Sequence, residues 1–176
     1  MGSMADIAFL LLIFFLVATT METDKGIIRK LPPYSTDPPD SAKVHDRNIL
    51  VLLVNRYDRL MVEHKEIHIG ELRDIAKEFI QNPQNRNDLP IVENIRVDYF
   101  GLFPVTTKHV ISLRSDRGTS YEMYIAVQNE LAAAYNELRN KLAQSKWNMN
   151  FDKLPFEKQK AITTIYPVKI SEAEPN

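Results

Sequence analysis

Ser3-Met4-Ala5-Asp6-Ile7-Ala8-Phe9-Leu10-Leu11-Leu12-Ile13-Phe14-Phe15-Leu16-Val17-Ala18 stands near the start of the chain, and its reading decides the architecture of the whole protein. Twelve uninterrupted apolar residues follow Asp6. Coiled as a helix from Met1 to Met21, the segment rises roughly 30 Å at about 1.5 Å per residue, the thickness of one hydrocarbon core. The sequence therefore predicts a transmembrane helix over 1–21. A carboxylate near lipid is costly and rare, so by default it is a candidate for proton or ion handling. Helical spacing places Phe9, Leu10, Ile13, Val17 and Thr20 on or near the face of Asp6, a stripe that a partner helix would cover.

Two simpler readings stand beside this one. Asp6 lies at the N-terminal edge of the apolar run, where an Asp also caps a helix and complements its dipole. A core of this length also suits a cleaved secretory signal, but no Lys or Arg precedes it and Thr19-Thr20-Met21 lacks a small-x-small cleavage pattern. Lys25, Arg29 and Lys30 follow the span, so the positive-inside rule alone places the C-terminal bulk in the cytoplasm. A basic tail upstream of Met1 would reverse that bias, and a chain opening so close to its acid reads as shortened.

Outward from the span, 176 residues with 44% hydrophobic content leave room for the anchor and one compact domain. A net charge of -1 with both signs intermixed offers no basic field for nucleic acid. The absence of Cys excludes disulfides and thiolate chemistry. Residues 22–47 contain Leu31-Pro32-Pro33 and Asp37-Pro38-Pro39-Asp40, whose prolines favour extended backbone, and read as a Pro-rich tether. Its apolar patch, Ile27, Ile28 and Leu31 beside Pro32, reads either as a docking strand for a sheet edge or as a plain solvated linker.

The domain is expected over 48–176. Ile49 to Val54 and Arg59 to His64 read as a hairpin, followed by an amphipathic helix with Ile69, Leu72, Ile75, Ala76, Phe79 and Ile80 inward and Asn82-Pro83 as its stop. Ile91 to Val105 is either an irregular hairpin or a sticky insertion. His109 to Arg114 reads as a third core strand leading into a long helix, with Thr119 and Glu122 as its capping box and a buried stripe of Tyr121, Tyr124, Ile125, Gln128, Leu131, Ala132, Tyr135, Leu138 and Leu142, ending near Lys146. Pro155 opens a short helix through Ala161, and Ile162 to Ile170 reads as a closing edge strand interrupted by Pro167. The expectation is an α+β fold: one N-terminal helix, then a small two-layer domain with a mixed sheet and two main helices.

Little in the chain suggests catalysis. His64 and His68 stand four apart, but they fall at an expected strand end and lack the Glu that follows the first His in a zinc-protease helix. With no Gly-rich phosphate loop and no G-x-S-x-G elbow, the sequence predicts a protein that is not an enzyme, with no metal and no cofactor.

Three segments carry a resemblance. Asp6 to Phe15 is similar to the single transmembrane segment of the ExbD/TolR family, Ile28-Arg29-Lys30-Leu31-Pro32 to its V-x-x-L-P segment, and Leu113-Arg114-Ser115-Asp116-Arg117 with Tyr121 to its strand, D-[RK] and Tyr-led helix. Within the family, the long insertion and tail resemble ExbD-like proteins of Bacteroidetes. The chain departs from the pattern in having Met4-Ala5 where many members place a Pro, and in lacking the basic cytoplasmic tail. An insertion at about 82–108 and a C-terminal extension are further departures. The resemblance implies a single-pass inner-membrane protein with a periplasmic domain, forming a homodimer and working with an ExbB-like multispan ring protein and a TonB-like transducer. It implies Asp6 as the proton-translocating site, with protons as the coupling ion. A TolR-like role in envelope maintenance, and an anchored periplasmic binding module without proton coupling, remain as alternatives.

Overall fold

The computed structural model describes residues 3–18 and 46–173. The chain divides into two units between Asp40 and Ser41.

In the first unit, α1 (Ser3–Ala18) is a single helix whose side chains from Met4 to Phe15 are all exposed. Apart from Asp6 these residues are apolar on every side, as in a helix whose whole circumference avoids water. Its 16 residues rise about 24 Å, less than the roughly 30 Å of a hydrocarbon core. No helix among the described residues is long and apolar enough to cross a membrane. Thr20 and the tether residues Ile27, Ile28, Leu31 and Pro32 lie outside the described residues.

The second unit is built on β1 (Ile49–Val54), where strict alternation buries Leu50, Leu52 and Val54 and leaves the intervening residues partly open. β1 pairs antiparallel with β2 (Leu60–Val62), and β2 with β3 (Lys65–Ile67). This last strand corrects the expectation of a strand end at His64. Glu63 and His64 both adopt positive φ, 47° and 72°, as the corners of a tight two-residue hairpin do. Glu-His lacks the Asn-Gly chemistry that usually announces such a turn, so nothing in the sequence marks it.

His68 then caps α2 (Ile69–Gln81): its Nδ1 accepts from Gly70 N at 3.2 Å, while the Glu71 carboxylate accepts from His68 N at 3.1 Å. Asn82 ends the helix in the left-handed region. Its side chain bonds Pro90 O at 2.8 Å and Arg86 N at 2.8 Å, which organises the polar loop beyond the helix. Residues 91–105 resolve into a hairpin, β4 (Glu93–Val97) with β5 (Gly101–Val105), forming its own two-stranded sheet.

β6 (Val110–Ser115) lies parallel to β1, a pairing that needs the long crossover through α2. α3 (Tyr121–Trp147) comes next, packed along α2 through Arg73, which holds the Glu130 carboxylate with two nitrogens at 2.8 and 3.1 Å. Ser120 is its N-cap, accepting from Met123 N at 3.1 Å. Thr119 does not take that place; its hydroxyl turns to the carbonyls of Val54 and Asn55 instead. The buried stripe is Val127, Leu131, Ala134, Tyr135, Leu138 and Ala143, whereas Tyr121 and Ala132 are exposed. Tyr121 occupies the first helical turn and stacks on Tyr124 at 6.5 Å. α4 runs Phe156–Ile165, so the expected strand over 162–170 is corrected as well. Its edge position holds, but the strand is β7 (Ile170–Ala173), parallel to β6 and beginning three residues after Pro167. The sheet order is β3-β2-β1-β6-β7, a mixed sheet in an α+β unit.

The hairpin of β4 and β5 folds against the end of α3 and the start of α4. The Trp147 ring meets Phe100 and Tyr99 edge-on at 5.4 and 5.9 Å, and the Tyr99 hydroxyl donates to Glu157 at 3.2 Å.

At the start of β6, His109 is fully buried between Phe79 of α2 and Tyr135 of α3. Nδ1 faces Thr106 O at 2.5 Å, and a carbonyl only accepts, so Nδ1 carries the hydrogen and Nε2 accepts from the Tyr135 hydroxyl at 3.0 Å. Burial, reinforced by the Lys169 ammonium, lowers the His109 pKa. Burial pushes the Tyr135 hydroxyl up to about 12. The folded domain therefore holds His109 neutral. Below the unfolded value of about 6.5 the unfolded chain binds a proton that the folded one refuses, so stability is complete above that pH and falls as pH drops, by at most about 1.4 kcal/mol per unit. Denaturant midpoints measured between pH 7 and 5 should show this slope, and His109→Gln should flatten it.

Candidate functional site

The single acid of α1 is placed by the helix itself. α1 begins at Ser3, so Asp6 sits within the first turn and is not the N-cap; the capping reading is corrected to a dipole contribution at most. Phe9, Leu10 and Ile13, three, four and seven positions on, share its side of the helix and are exposed at 59%, 60% and 42%. Val17 belongs to α1 by its backbone, and nothing further of its side chain is described. The result is one ionisable group at the end of an otherwise apolar surface.

The histidines take structural roles. His64 is a turn residue and His68 a helix cap, and no group among the described residues gathers three metal-ligating side chains.

The motif 113–117 lies where the sheet ends. β1 and β6 finish side by side, Val54 opposite Ser115, and Asp116 N bonds Val54 O at 2.9 Å. Asp58, at φ 58°, accepts from Ser120 N at 2.9 Å, joining the turn after β1 to the start of α3. Gly118 passes so close that a Cβ there would lie 2.9 Å from Arg56 Cβ. Arg56, Asp116, Arg117 and Gly118 line an open cleft of about 330 Å³. The sequence marks the motif but not this cleft, because Arg56 arrives from a turn about sixty residues away. Gly118→Ala should force Arg56 aside and destabilise the domain by about 1–3 kcal/mol, measured by urea unfolding. A change below about 0.5 kcal/mol would mean the turn yields freely.

Among curated proteins, none matches the chain. A family profile described as biopolymer transport protein ExbD/TolR matches residues 1–145, spanning α1, its acid, and the domain through the body of α3. With most of its length covered by that profile, the chain belongs to the ExbD/TolR family.

Proposed function

We propose that this chain is the proton-coupled subunit of an ExbB-ExbD-TonB-like inner-membrane motor that energises transport across the outer membrane. Membership makes it a non-enzymatic component of biopolymer transport, from a family that works with ExbB- and TonB-like partners at the inner membrane. The observation that carries the reading is Asp6, the one charge on a helix apolar on every face, inside the matched region. With the residues before and after α1 completing a span, the acid faces an ExbB-like ring through Phe9, Leu10 and Ile13. Protonation from one side removes its charge and lets the helix turn, and release to the other side completes a step. Each charge crossing about 100 mV yields about 2.3 kcal/mol, so several protons drive one mechanical cycle.

In this reading a homodimer of periplasmic domains passes the motion to a TonB-like transducer, with Ile27, Ile28, Leu31 and Pro32 as a strand that docks on the sheet. Uptake of a transporter-dependent nutrient in cells whose only copy carries Asp6→Asn tests the coupling. Co-purification with a TonB-like or a TolA-like protein separates transport from envelope maintenance.

A further inference from the structure

The walls around His109 are unequal in strength. Phe79 of α2, Thr106 of the turn before β6 and Tyr135 of α3 stand against the ring, and all three are buried. The remaining side is a strap that runs from the end of α4 into β7. No residue from 167 to 172 is buried, and Val168 is 52% exposed. The strap is attached beside the ring by Lys169, whose N–H donates to the Tyr135 hydroxyl at 3.4 Å and whose ammonium donates to Thr107 O. Further along, Ile111 N donates to Lys169 O at 2.9 Å and the Tyr124 hydroxyl to Glu172 at 2.8 Å.

The Tyr135 hydroxyl is thus shared between the ring and the strap. It donates its single hydrogen to His109 Nε2 while accepting from Lys169 N, and no other group among the described residues bonds it. A second proton on the ring turns Nε2 into a donor. Both partners then donate to the hydroxyl, and its own hydrogen is left buried without an acceptor, which is costly. The charge meets no counter-ion either. α2 presents Phe79 to the ring, and α3 presents Tyr135, with the Arg139 guanidinium 6.0 Å from the centre of the Tyr135 ring. On the strap stand the Lys169 ammonium and Tyr166, whose hydroxyl is taken by Gln81 at 3.0 Å. Lys108, next to His109 in the chain, pairs with Glu93 at 2.7 Å. Burial opposes the charged ring most and Lys169 adds to it; the carbonyls of Thr106 and Pro167 offset them only in part, and no acid acts on the ring.

We propose that a proton on His109 lifts the strap of residues 167–173 off β6, so that mild acid opens the outer edge of the sheet while the rest of the domain stays folded. Lifting the strap takes Lys169 away from the ring, frees an acceptor site on the Tyr135 hydroxyl and admits water to Nε2. It gives up only the four-residue pairing of β7, the strand that buries least. Opening any other wall would pull Phe79 or Tyr135 out of the core. The opened edge of β6 presents unpaired backbone N–H and C=O groups. This device does not depend on the motor reading, since His109 and Asp6 belong to different units.

The test is hydrogen exchange read by mass spectrometry on the full chain in lipid nanodiscs between pH 7 and 5, with rates corrected for the intrinsic pH dependence of exchange. Carboxylates stay largely ionised over that range. Protection of 168–173, and of the peptide that carries Ile111, is expected to fall as the pH drops while β1 and the body of α3 keep theirs. The fall is at most about tenfold per unit below about pH 6.5, and at least about threefold over the whole range. His109→Gln keeps a donor and an acceptor but does not titrate, so its strap should hold the same protection throughout. If Trp147 fluorescence shows that this variant does not fold, the wild-type pattern alone decides. Constant protection of 168–173 across the range overturns the proposal. So does an equal fall throughout the domain, which is global unfolding, and so does loosening confined to the first turn of α2, where His68 Nδ1 accepts from Gly70 N.

Discussion

Cells whose only copy carries Asp6→Asn should assemble the complex and lose energised uptake almost completely. Asn keeps the size of Asp and much of its hydrogen bonding but cannot take up or release a proton at this position, so a step that depends on titration stops. Asp6→Glu should retain partial uptake, because the acid remains while its reach grows by one methylene. The dipole reading predicts otherwise: the loss of a charge in the first turn of an exposed helix is worth about 0.3–1 kcal/mol, too little to silence a complex that still forms. The measurement is uptake of a transporter-dependent nutrient, with co-purification of the ring protein as the assembly control. Uptake at the wild-type level would leave an anchored binding module as the better account.

The largest effect on stability is expected from Phe79→Ala. Phe79 is 2% exposed, on the face of α2 that meets the sheet, and its ring stands edge-on to His109 at 6.5 Å. Removing it opens a cavity beside the buried histidine, and such truncations cost about 3–5 kcal/mol. That is a large part of the roughly 5–15 kcal/mol that holds a domain folded. Trp147 is the only tryptophan and sits in the same unit, so its fluorescence follows unfolding of the full chain directly. A loss under about 1 kcal/mol would mean that α2 settles into the space.

Where one periodicity acts alone, the sequence can be read closely. The alternation of Ile49 to Val54 and the helical spacing of Ile69 to Ile80 name elements that the structure repeats, and Asn82-Pro83 marks the stop of α2. Errors fall where tertiary contacts choose between local options. Thr119 and Ser120 both suit a cap, and the carbonyls of Val54 and Asn55, distant in sequence, draw Thr119 away. Ile162 to Ile170 has the composition of a strand, yet Ile162 and Ile165 are buried as part of α4, and pairing begins only beyond Pro167. Asp6 is legible as the chemical site because a lone acid beside twelve apolar residues is rare. The cleft after the motif is not, since Arg56 and Arg117 come to line it together only once β1 and β6 lie side by side.

The parallel pairing of β1 with β6 and of β6 with β7 also fixes the order in which the domain can fold. Ile49 lies opposite Val110, and Ile111 opposite Ile170, so each central pairing waits for about sixty residues of intervening chain. Loops of that length make strand pairing slow compared with helix formation, and no local hairpin can replace either parallel pair. A nascent chain thus leaves the ribosome with α1 able to coil at once while its sheet cannot close until the last strand is made. A product ending at residue 145, where the family match stops, would lack β7 and present the outer edge of β6 unpaired, an open template for aggregation.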